Sequence, residues 1–364
     1  MKMAAFLSEA EIRSISLNHA KRIILISDVH GNRSLLHRLL EKCQYTCEDT
    51  LIFLGDLMEK GVDSLGVLHD VMKLCLQANV YAVQGNCDRL SLALLEGELA
   101  DFVDYNQFRH ESLLNEMAAR GGFTSITMEN GEACRTYIQT EFKQELAFLK
   151  AMPLLLESEA AFFVHAGLSS ENPCENLVKE VLTMPAFMEQ NRTFQKHVYC
   201  GHWPVMNYHE DVCDCRVLSD PLHQITGIDG GNGVKKSGQL NALIIENGQA
   251  HSIWVDDLPI KIVQKAQKAN EDPFFICWSK RFVEPLKEIG DHTLCRWLVN
   301  DRQLALPTSY LYKEDKRWCC RDCTNYFLPV EAGEWVSVIR EEGDGVLAKK
   351  QGIVGWIGRD RFDD

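Results

Sequence analysis

Apolar and polar positions along this chain follow two different periods, and the places where the period changes mark its elements. Five short runs are apolar at nearly every position: Arg22-Ile-Ile-Leu-Ile-Ser-Asp28-Val-His30, Thr50-Leu-Ile-Phe-Leu-Gly55-Asp56, Val80-Tyr-Ala-Val-Gln-Gly85-Asn86, Ala161-Phe-Phe-Val-His165 and His197-Val-Tyr-Cys-Gly201-His202. Runs this short and this apolar predict strands covered on both faces. Between them the spacing becomes helical. Leu35, Leu36, Leu39, Leu40 and Cys43 share one face after the first run, and Leu65, Leu68, Met72, Cys75 and Leu76 share one after the second. His37 and His69 fall inside these helices and read as surface or packing residues. Residues 89–150 hold several amphipathic stretches, including Thr136 to Lys150 ahead of Pro153, and predict a helical insert. From Val212 to Asp257 the alternation is strand-like, broken at Gly227-Ile-Asp-Gly-Gly-Asn-Gly233, as expected for a second sheet. Strands alternating with helices specify a layered α/β domain over residues 1–257.

The pattern changes at residues 258–273, a polar stretch without a strong apolar face that reads as a linker or one connecting helix. Residues 274–364 then form a smaller C-terminal domain. Within it, residues 326–364 resemble an SH3-like barrel: Ala332-Gly-Glu-Trp335-Val-Ser-Val-Ile-Arg340, the turn Glu342-Gly-Asp-Gly345, and Gly352-Ile-Val-Gly355-Trp356-Ile357 are short strands with Gly and Asp turns. Such barrels bind peptide or protein partners through an aromatic groove, which Tyr326, Trp335 and Trp356 could line. Packing inside the barrel is the favoured reading of those rings.

Each of the five apolar runs ends in metal-ligand chemistry. Asp28, His30, Asp56, Asn86, His165 and His202 combine carboxylate, amide and imidazole donors, a set that suits Mn, Fe or Zn better than Mg or Ca. Ligands at strand ends are expected to converge on one sheet edge, where α/β proteins place their sites. Two ions roughly 3.5–4 Å apart need a bridging carboxylate, and Asp56 is the candidate.

In this order the blocks Asp28-Val-His30-Gly31-Asn32, Gly55-Asp56, Gly85-Asn86, His165-Ala-Gly167-Leu168 and Gly201-His202 resemble the calcineurin-like metallophosphoesterase superfamily, in particular its phosphoprotein phosphatase branch. Arg120-Gly-Gly122 and Ile228-Asp229-Gly-Gly followed by Gly238-Gln-Leu-Asn-Ala242 echo the same branch. The resemblance implies an αββα sandwich and two divalent cations, Mn first and Fe or Zn as alternatives. Asp28, His30 and Asp56 would hold one ion, and Asp56, Asn86, His165 and His202 the other. It also implies hydrolysis of phosphate esters by a metal-bridging hydroxide, without a covalent phosphoenzyme.

The departures fall on the substrate side. Glu59-Lys60-Gly61 stands where the branch has Asp-Arg-Gly, so a bidentate fork becomes a point charge. Asn86-Cys87-Asp88 stands where it has Asn-His-Glu, so a thiol replaces the imidazole proposed as general acid. That variant looks like the one used by phosphodiesterases of the wider superfamily. Asp56, Glu59, Lys60, Cys87 and Asp88 therefore form the candidate catalytic group. Pro185 falls where the branch carries a further phosphate-binding Arg, leaving Lys60, Arg89 and Arg192 as candidate substrate contacts.

Composition narrows the rest. A net charge of −14 and a pI near 5.4 argue against broad nucleic-acid binding. No apolar run is long enough to span a membrane, and the start, Met1-Lys2-Met3 through Ser8-Glu9, reads as having no leader, so a cytoplasmic protein with free thiols is expected. Cys319, Cys320 and Cys323 contain one Cys-x-x-Cys pair; a structural zinc would need Cys213 and Cys215 to join it, and packing thiols are the favoured reading. The sequence thus predicts a phosphatase-like phosphomonoesterase acting on a phosphorylated small molecule, nucleotide or phosphoprotein. Two alternatives stand beside it: a phosphodiesterase or dinucleoside polyphosphate hydrolase, suggested by Gly201-His202-Trp203, and a catalytically weak metal-binding interaction protein.

Overall fold

The computed structural model describes residues 10–363, so the reading of residues 1–9 lies outside the described residues. The chain forms two compact units, one reaching Pro204 and resuming at Arg216–Asp257, the other made of Val205–Cys215 and the residues from Leu258 onward.

In the first unit the order is β1 (Ile12–Ser14), β2 (Arg22–Ile26), α1 (Arg33–Lys42), β3 (Thr50–Phe53), α2 (Ser64–Leu74) and β4 (Val80–Ala82). Five helices follow: α3 (Asn86–Glu96), α4 (Leu99–Phe108), α5 (Leu113–Arg120), α6 (Gly131–Glu141) and α7 (Lys143–Ala151). Then come β5 (Leu155–Glu157), β6 (Ala161–Val164), α8 (Val178–Thr183) and β7 (His197–Cys200). After β8 (Cys213–Asp214), which pairs in the second unit, the first unit closes with β9 (Leu218–Asp220), β10 (Ile225–Gly227), β11 (Leu240–Glu246) and β12 (Gln249–Val255).

The strands make two sheets, β12-β11-β2-β3-β4 and β1-β5-β6-β7-β10-β9. Leu25, Ile52, Leu54, Val83, Phe163, Ile228 and Leu243, from both sheets, share one buried core. The alternate faces pack outward. Ile24, Ile26, Leu51 and Phe53 meet α1 and α2, while Phe162, Val164 and Val198 meet α8. Period-two alternation in strands buried on both faces thus produces the αββα layering. Two local expectations change. Residues 212–257 do not form one second sheet: β9 and β10 extend the sheet of β7, whereas β11 and β12 add antiparallel to β2 on the first sheet. Helix α2 ends at Leu74 and buries Leu65, Val67, Leu68 and Val71, leaving Leu76 in solvent.

The second unit is all-β and built of several small sheets. Its strands are β8, β13 (Ile260–Ile262), β14 (Phe275–Ile276), β15 (Val283–Ile289), β16 (His292–Trp297), β17 (Gln303–Pro307), β18 (Leu311–Glu314), β19 (Arg317–Cys320), β20 (Cys323–Thr324), β21 (Trp335–Glu342), β22 (Gly345–Lys350) and β23 (Ile353–Gly358). Residues 258–273 are neither a free linker nor a helix, because Ile260–Ile262 pairs with β21 at the edge of the sheet β13-β21-β22-β23-β8. That sheet draws strands from outside residues 326–364. Such two- and three-residue strands leave no periodic signature, and their partners lie far away in sequence. Tyr326 packs against one core and Trp356 against another, while Trp335 is exposed.

None of the fourteen cysteines is in a disulfide. Cys213 and Cys215 share a core with Cys277, and Cys320 and Cys323 share a different one with Cys295. Among the described residues no group of three of these thiols is close enough to hold one ion. Nor is any helix of the described residues long and apolar enough to cross a membrane.

Candidate active site

The predicted ligands gather at strand ends from both sheets, rather than on the edge of one. Asp28 and His30 follow β2, Asp56 follows β3 and Asn86 opens α3 after β4; His165 and His202 follow β6 and β7 of the other sheet. The loops are laced together by backbone bonds: Asp28 N–H to Gly55 O at 3.1 Å, His30 N–H to Asp56 O at 3.0 Å and Gly201 N–H to His165 O at 2.7 Å. That lacing has something to hold. Asp28, His30, Asp56 and His202 all adopt left-handed backbone, with φ of 56°, 49°, 51° and 66°. Each such residue costs about 1–3 kcal/mol and persists where surrounding contacts over-determine it, typically at functional sites. Close approach explains Gly85: a Cβ there would run into the Asp56 backbone and carboxylate.

Asp56 sits in the middle of the cluster. Its Oδ2 lies 3.8 Å from His30 Nε2 and its Oδ1 3.4 Å from His165 Nε2, and Asp28 Oδ1 lies 3.7 Å from His30 Nε2. His30 Nδ1 and His165 Nδ1 face the carbonyls of Met58 and Leu54 at 3.3 and 2.8 Å. A carbonyl only accepts, so each Nδ1 carries the proton and each Nε2 lone pair points into the cluster. Asn86 Oδ1 is 3.0 Å from His165 Nε2, and the same end of the amide is 2.8 Å from His202 Nδ1. Converging acceptors of this kind repel unless a cation sits among them or the amide turns over to offer its N–H groups.

The electrostatics agree with that donor set. Burial above all pushes His30 down to about 4 and His202 to about 3, keeping both rings neutral. Burial would raise Asp56, but His165, His30, Lys60 and a hydrogen bond from the Cys87 thiol together hold it well below the usual carboxylate range. Asp28, buried and beside the Asp56 carboxylate, is raised to about 8. Neutral imidazoles, an ionised central carboxylate and lone pairs aimed at a common space fit a pair of divalent cations.

Residues 21–229, more than half of the chain, match the calcineurin-like phosphoesterase family. The chain belongs to that family. That family is one of phosphoesterases and depends on two metal ions. It is 32% identical over 79 residues to serine/threonine-protein phosphatase 1 of Salmonella typhimurium, a match covering 21% of this chain and 35% of that protein. The chain thus spans about a third of the length of the curated relative it matches. Similar solved structures include a diadenosine tetraphosphatase (21% identity, TM-score 0.43, covering 68% of this chain and 99% of that one). Another is a serine/threonine phosphatase of Saccharomyces cerevisiae (13% identity, TM-score 0.41, covering 70% and 87%).

Around the phosphoesterase cluster the remaining candidates divide. Lys60 is beside it, with Nζ 3.1 Å from His30 Nε2. Burial would lower its pKa, but Cys87, Asp56, Asp28 and Asp229 raise it, so it remains a cation. Cys87 is buried and its N–H donates to Asp56 Oδ1 at 2.8 Å; burial and then Asp56 push the thiol pKa well up, so the thiol keeps its proton. Asp88 and Glu59 turn elsewhere. Asp88 accepts backbone N–H bonds from Leu57 (2.9 Å), Met58 (3.3 Å) and Gly85 (2.8 Å), holding the Asp56 loop against α3. Glu59 accepts from the Tyr105 hydroxyl at 2.6 Å and Leu113 N–H at 3.0 Å. Arg89 donates to Gln84 Oε1 at 3.1 Å and Arg192 to the Ser169 carbonyl. Among the described residues neither arginine touches the cluster.

Three neighbours carried no assigned role in the sequence. Ser27 Oγ donates to Asp28 Oδ2. Asn232 donates to the carbonyls of Asp28 (3.2 Å) and Val29 (2.8 Å), bracing that loop. Asp229 is buried with Oδ1 accepting from Gly231 N–H at 2.7 Å. The Gly-rich block around Asp229 was the available signal, but it says nothing about which loop it would meet.

Proposed function

We propose that this chain hydrolyses phosphate monoesters, with Asp28, His30 and Asp56 holding one divalent cation and Asp56, Asn86, His165 and His202 holding a second. Mn is the first expectation for both. Two such ions supply Lewis acidity toward phosphoryl oxygens and lower the pKa of water enough to make it a nucleophile at neutral pH. The observation that carries the reading is the convergence of His30 Nε2, His165 Nε2, the Asn86 amide and both aspartates around Asp56.

The chain's own residues then have distinct tasks. Lys60 offers an ammonium to a non-bridging phosphoryl oxygen, as a point charge rather than a bidentate clamp. Asp88 and Asn232 hold the ligand-bearing loops at their backbone. Cys87 brings a thiol that retains its proton, so position 87 offers a weak hydrogen bond to the departing oxygen and little general-acid catalysis. Esters with good leaving groups should therefore turn over faster than alkyl esters such as phosphoserine. A panel of p-nitrophenyl phosphate, bis-p-nitrophenyl phosphate, diadenosine tetraphosphate and phosphopeptides, each assayed with Mn²⁺, Zn²⁺ and Mg²⁺, tests the proposal. No turnover of any of them by protein carrying two ions would refute it.

A further inference from the structure

Lys60 is launched from fixed backbone. Glu59 and Lys60 both adopt left-handed conformations, with φ of 72° and 69°, and Lys60 N–H donates to Glu111 O at 3.1 Å. The stem beyond it is flexible and ends in a rotatable ammonium with three donors, so its aim depends on what the ammonium touches. Four acidic groups act on that ammonium, Cys87, Asp56, Asp28 and Asp229, and its Nζ stands 3.1 Å from His30 Nε2. Under the two-ion reading the Asp28 and Asp56 carboxylates and the His30 lone pair are taken up by the cations. Cys87 keeps its proton. Of the four acidic groups, Asp229 is left without another task.

Asp229 is 1% exposed and opens a Gly-rich block that seats on the Asp28–His30 loop. Asn232 grips the Asp28 and Val29 carbonyls, at 3.2 and 2.8 Å, and a Cβ on Gly233 would come within 2.9 Å of the His30 Cβ. Only one end of the Asp229 carboxylate is used. Oδ1 accepts from Gly231 N–H at 2.7 Å, whereas among the described residues Oδ2 has no hydrogen-bond partner. Native folds rarely leave a buried carboxylate oxygen unmet, and such a group needs a reason. Metal ligation is not that reason. Among the described residues the groups close enough to share an ion are His30, Asp56 and Cys87, and Asp28, Asp56 and His165, and neither includes Asp229. The charged and titratable groups acting on Asp229 are Asp28, Lys60 and His165, and Lys60 is the permanent cation among them.

We propose that Asp229 is the positioning residue for Lys60: in the two-ion site its Oδ2 accepts one N–H of the ammonium, and the two remaining donors point at non-bridging oxygens of the bound phosphate. The inference rests on the reading of Lys60 and the ligand cluster as the phosphate-cleaving centre. A hydrogen bond between two charged groups is shorter and stronger than a neutral one, and a buried carboxylate gives it a fixed anchor. It turns a single flexible charge into an oriented pair of donors before substrate arrives. Donors aimed in advance at the place where charge develops are what stabilise a phosphoryl transition state. Asp229 itself takes no part in making or breaking bonds. Its removal should therefore matter only while Lys60 is present.

The test is a double-mutant cycle on the full chain loaded with Mn²⁺. Wild type, Asp229→Asn, Lys60→Ala and the double variant are compared by inorganic phosphate affinity in calorimetry, kcat/KM for p-nitrophenyl phosphate, metal content and melting temperature. Asparagine keeps Oδ1 for Gly231 N–H and removes the charge. Asp229→Ser, run beside it, removes the charge with a smaller side chain, so a folding failure of one variant leaves the cycle standing. Asp229→Asn should retain two ions, bind phosphate about tenfold more weakly and lose about tenfold in kcat/KM, the lower end of what a supporting residue contributes. In the Lys60→Ala background the same change should cost less than about twofold. A purely structural carboxylate would lower both backgrounds alike. That result, or an Asp229→Asn protein that matches wild type, would overturn the pairing, and loss of an ion in Asp229→Asn would overturn it in favour of a metal-holding role. A wild type that carries two ions and cleaves no ester would instead overturn the catalytic reading, while the four phosphate affinities would still decide whether Asp229 acts through Lys60.

Discussion

Asp88 offers the sharpest separation between holding a site together and taking part in its chemistry. Its carboxylate accepts three backbone N–H bonds, from Leu57, Met58 and Gly85, and all three donors belong to buried residues. An unsatisfied buried donor costs about 1–3 kcal/mol. Three of them, discounted because relaxation or a trapped water would rescue at least one, set the expected loss for Asp88→Ala at about 3–5 kcal/mol. Asp88→Asn keeps Oδ1 for Leu57 and Met58 but turns an N–H toward that of Gly85, so its cost should be about 1–3 kcal/mol. At about 2–4 °C per kcal/mol for a domain of this size, the alanine variant should melt roughly 6–20 °C lower. Urea unfolding gives the free energies and elemental analysis the metal content. If Asp88 acts by positioning, activity should fall in step with bound metal, and activity per bound metal should stay within a few-fold of wild type. Asp88→Asn with wild-type stability and metal content but collapsed turnover would refute the reasoning and return Asp88 to the reaction itself.

Asp56→Asn should lose metal from both positions and turnover by more than the 10–100-fold typical of an outer-shell residue; two retained ions with full activity would end its bridging assignment. Lys60→Ala should lower kcat/KM by about 1.5–3 kcal/mol, the usual value of a hydrogen bond to a charged group, and an inert variant would move the phosphate contact elsewhere. In metal-free protein, Asp28 at about 8 and Asp88 at about 7 contribute stability that is present below the unfolded carboxyl pKa and lost as pH rises through those values. His30 at about 4 and His202 at about 3 contribute stability that is lost only as pH falls below the unfolded imidazole value near 6.5. The metal-free melting temperature should therefore fall between pH 6.5 and 8.5, and a rise over that window would sink the assignment. Truncation after Asp257, which the sequence alone suggests would leave the chemistry intact, removes β23 from β8 and the partners of Met206, Cys213 and Cys215. The fragment should be less soluble and melt lower than the full chain, and equal stability would contradict this packing.

Much of the site could be read from sequence because each ligand follows its own strand directly. Asp28, Asp56, Asn86, His165 and His202 each end an apolar run, and a strand buried on both faces leaves few other places for a polar side chain to go. Alternation within β2, β3, β6 and β7 likewise announced two layers of packing. What the pattern could not contain was which strands pair. β11 and β12 lie closer in sequence to β10 than to β2, yet they complete the sheet of β2 through hydrogen bonds that any alternating strand could make. The same limit hid β8 and β13, whose partners lie in the last thirty or so residues. The hydrogen-bond partners of Glu59 and Asp88 were decided by orientation. Both stand beside ligands in sequence, but burial obliges a carboxylate to take the nearest N–H and O–H groups: for Asp88 the backbone N–H groups of Leu57, Met58 and Gly85, and for Glu59 the Tyr105 hydroxyl of α4 and the Leu113 N–H of α5. Sequence determines which chemistry is present and at which strand ends; only the packed chain decides which polar groups face each other, because desolvation makes every buried lone pair choose a partner that is near in space.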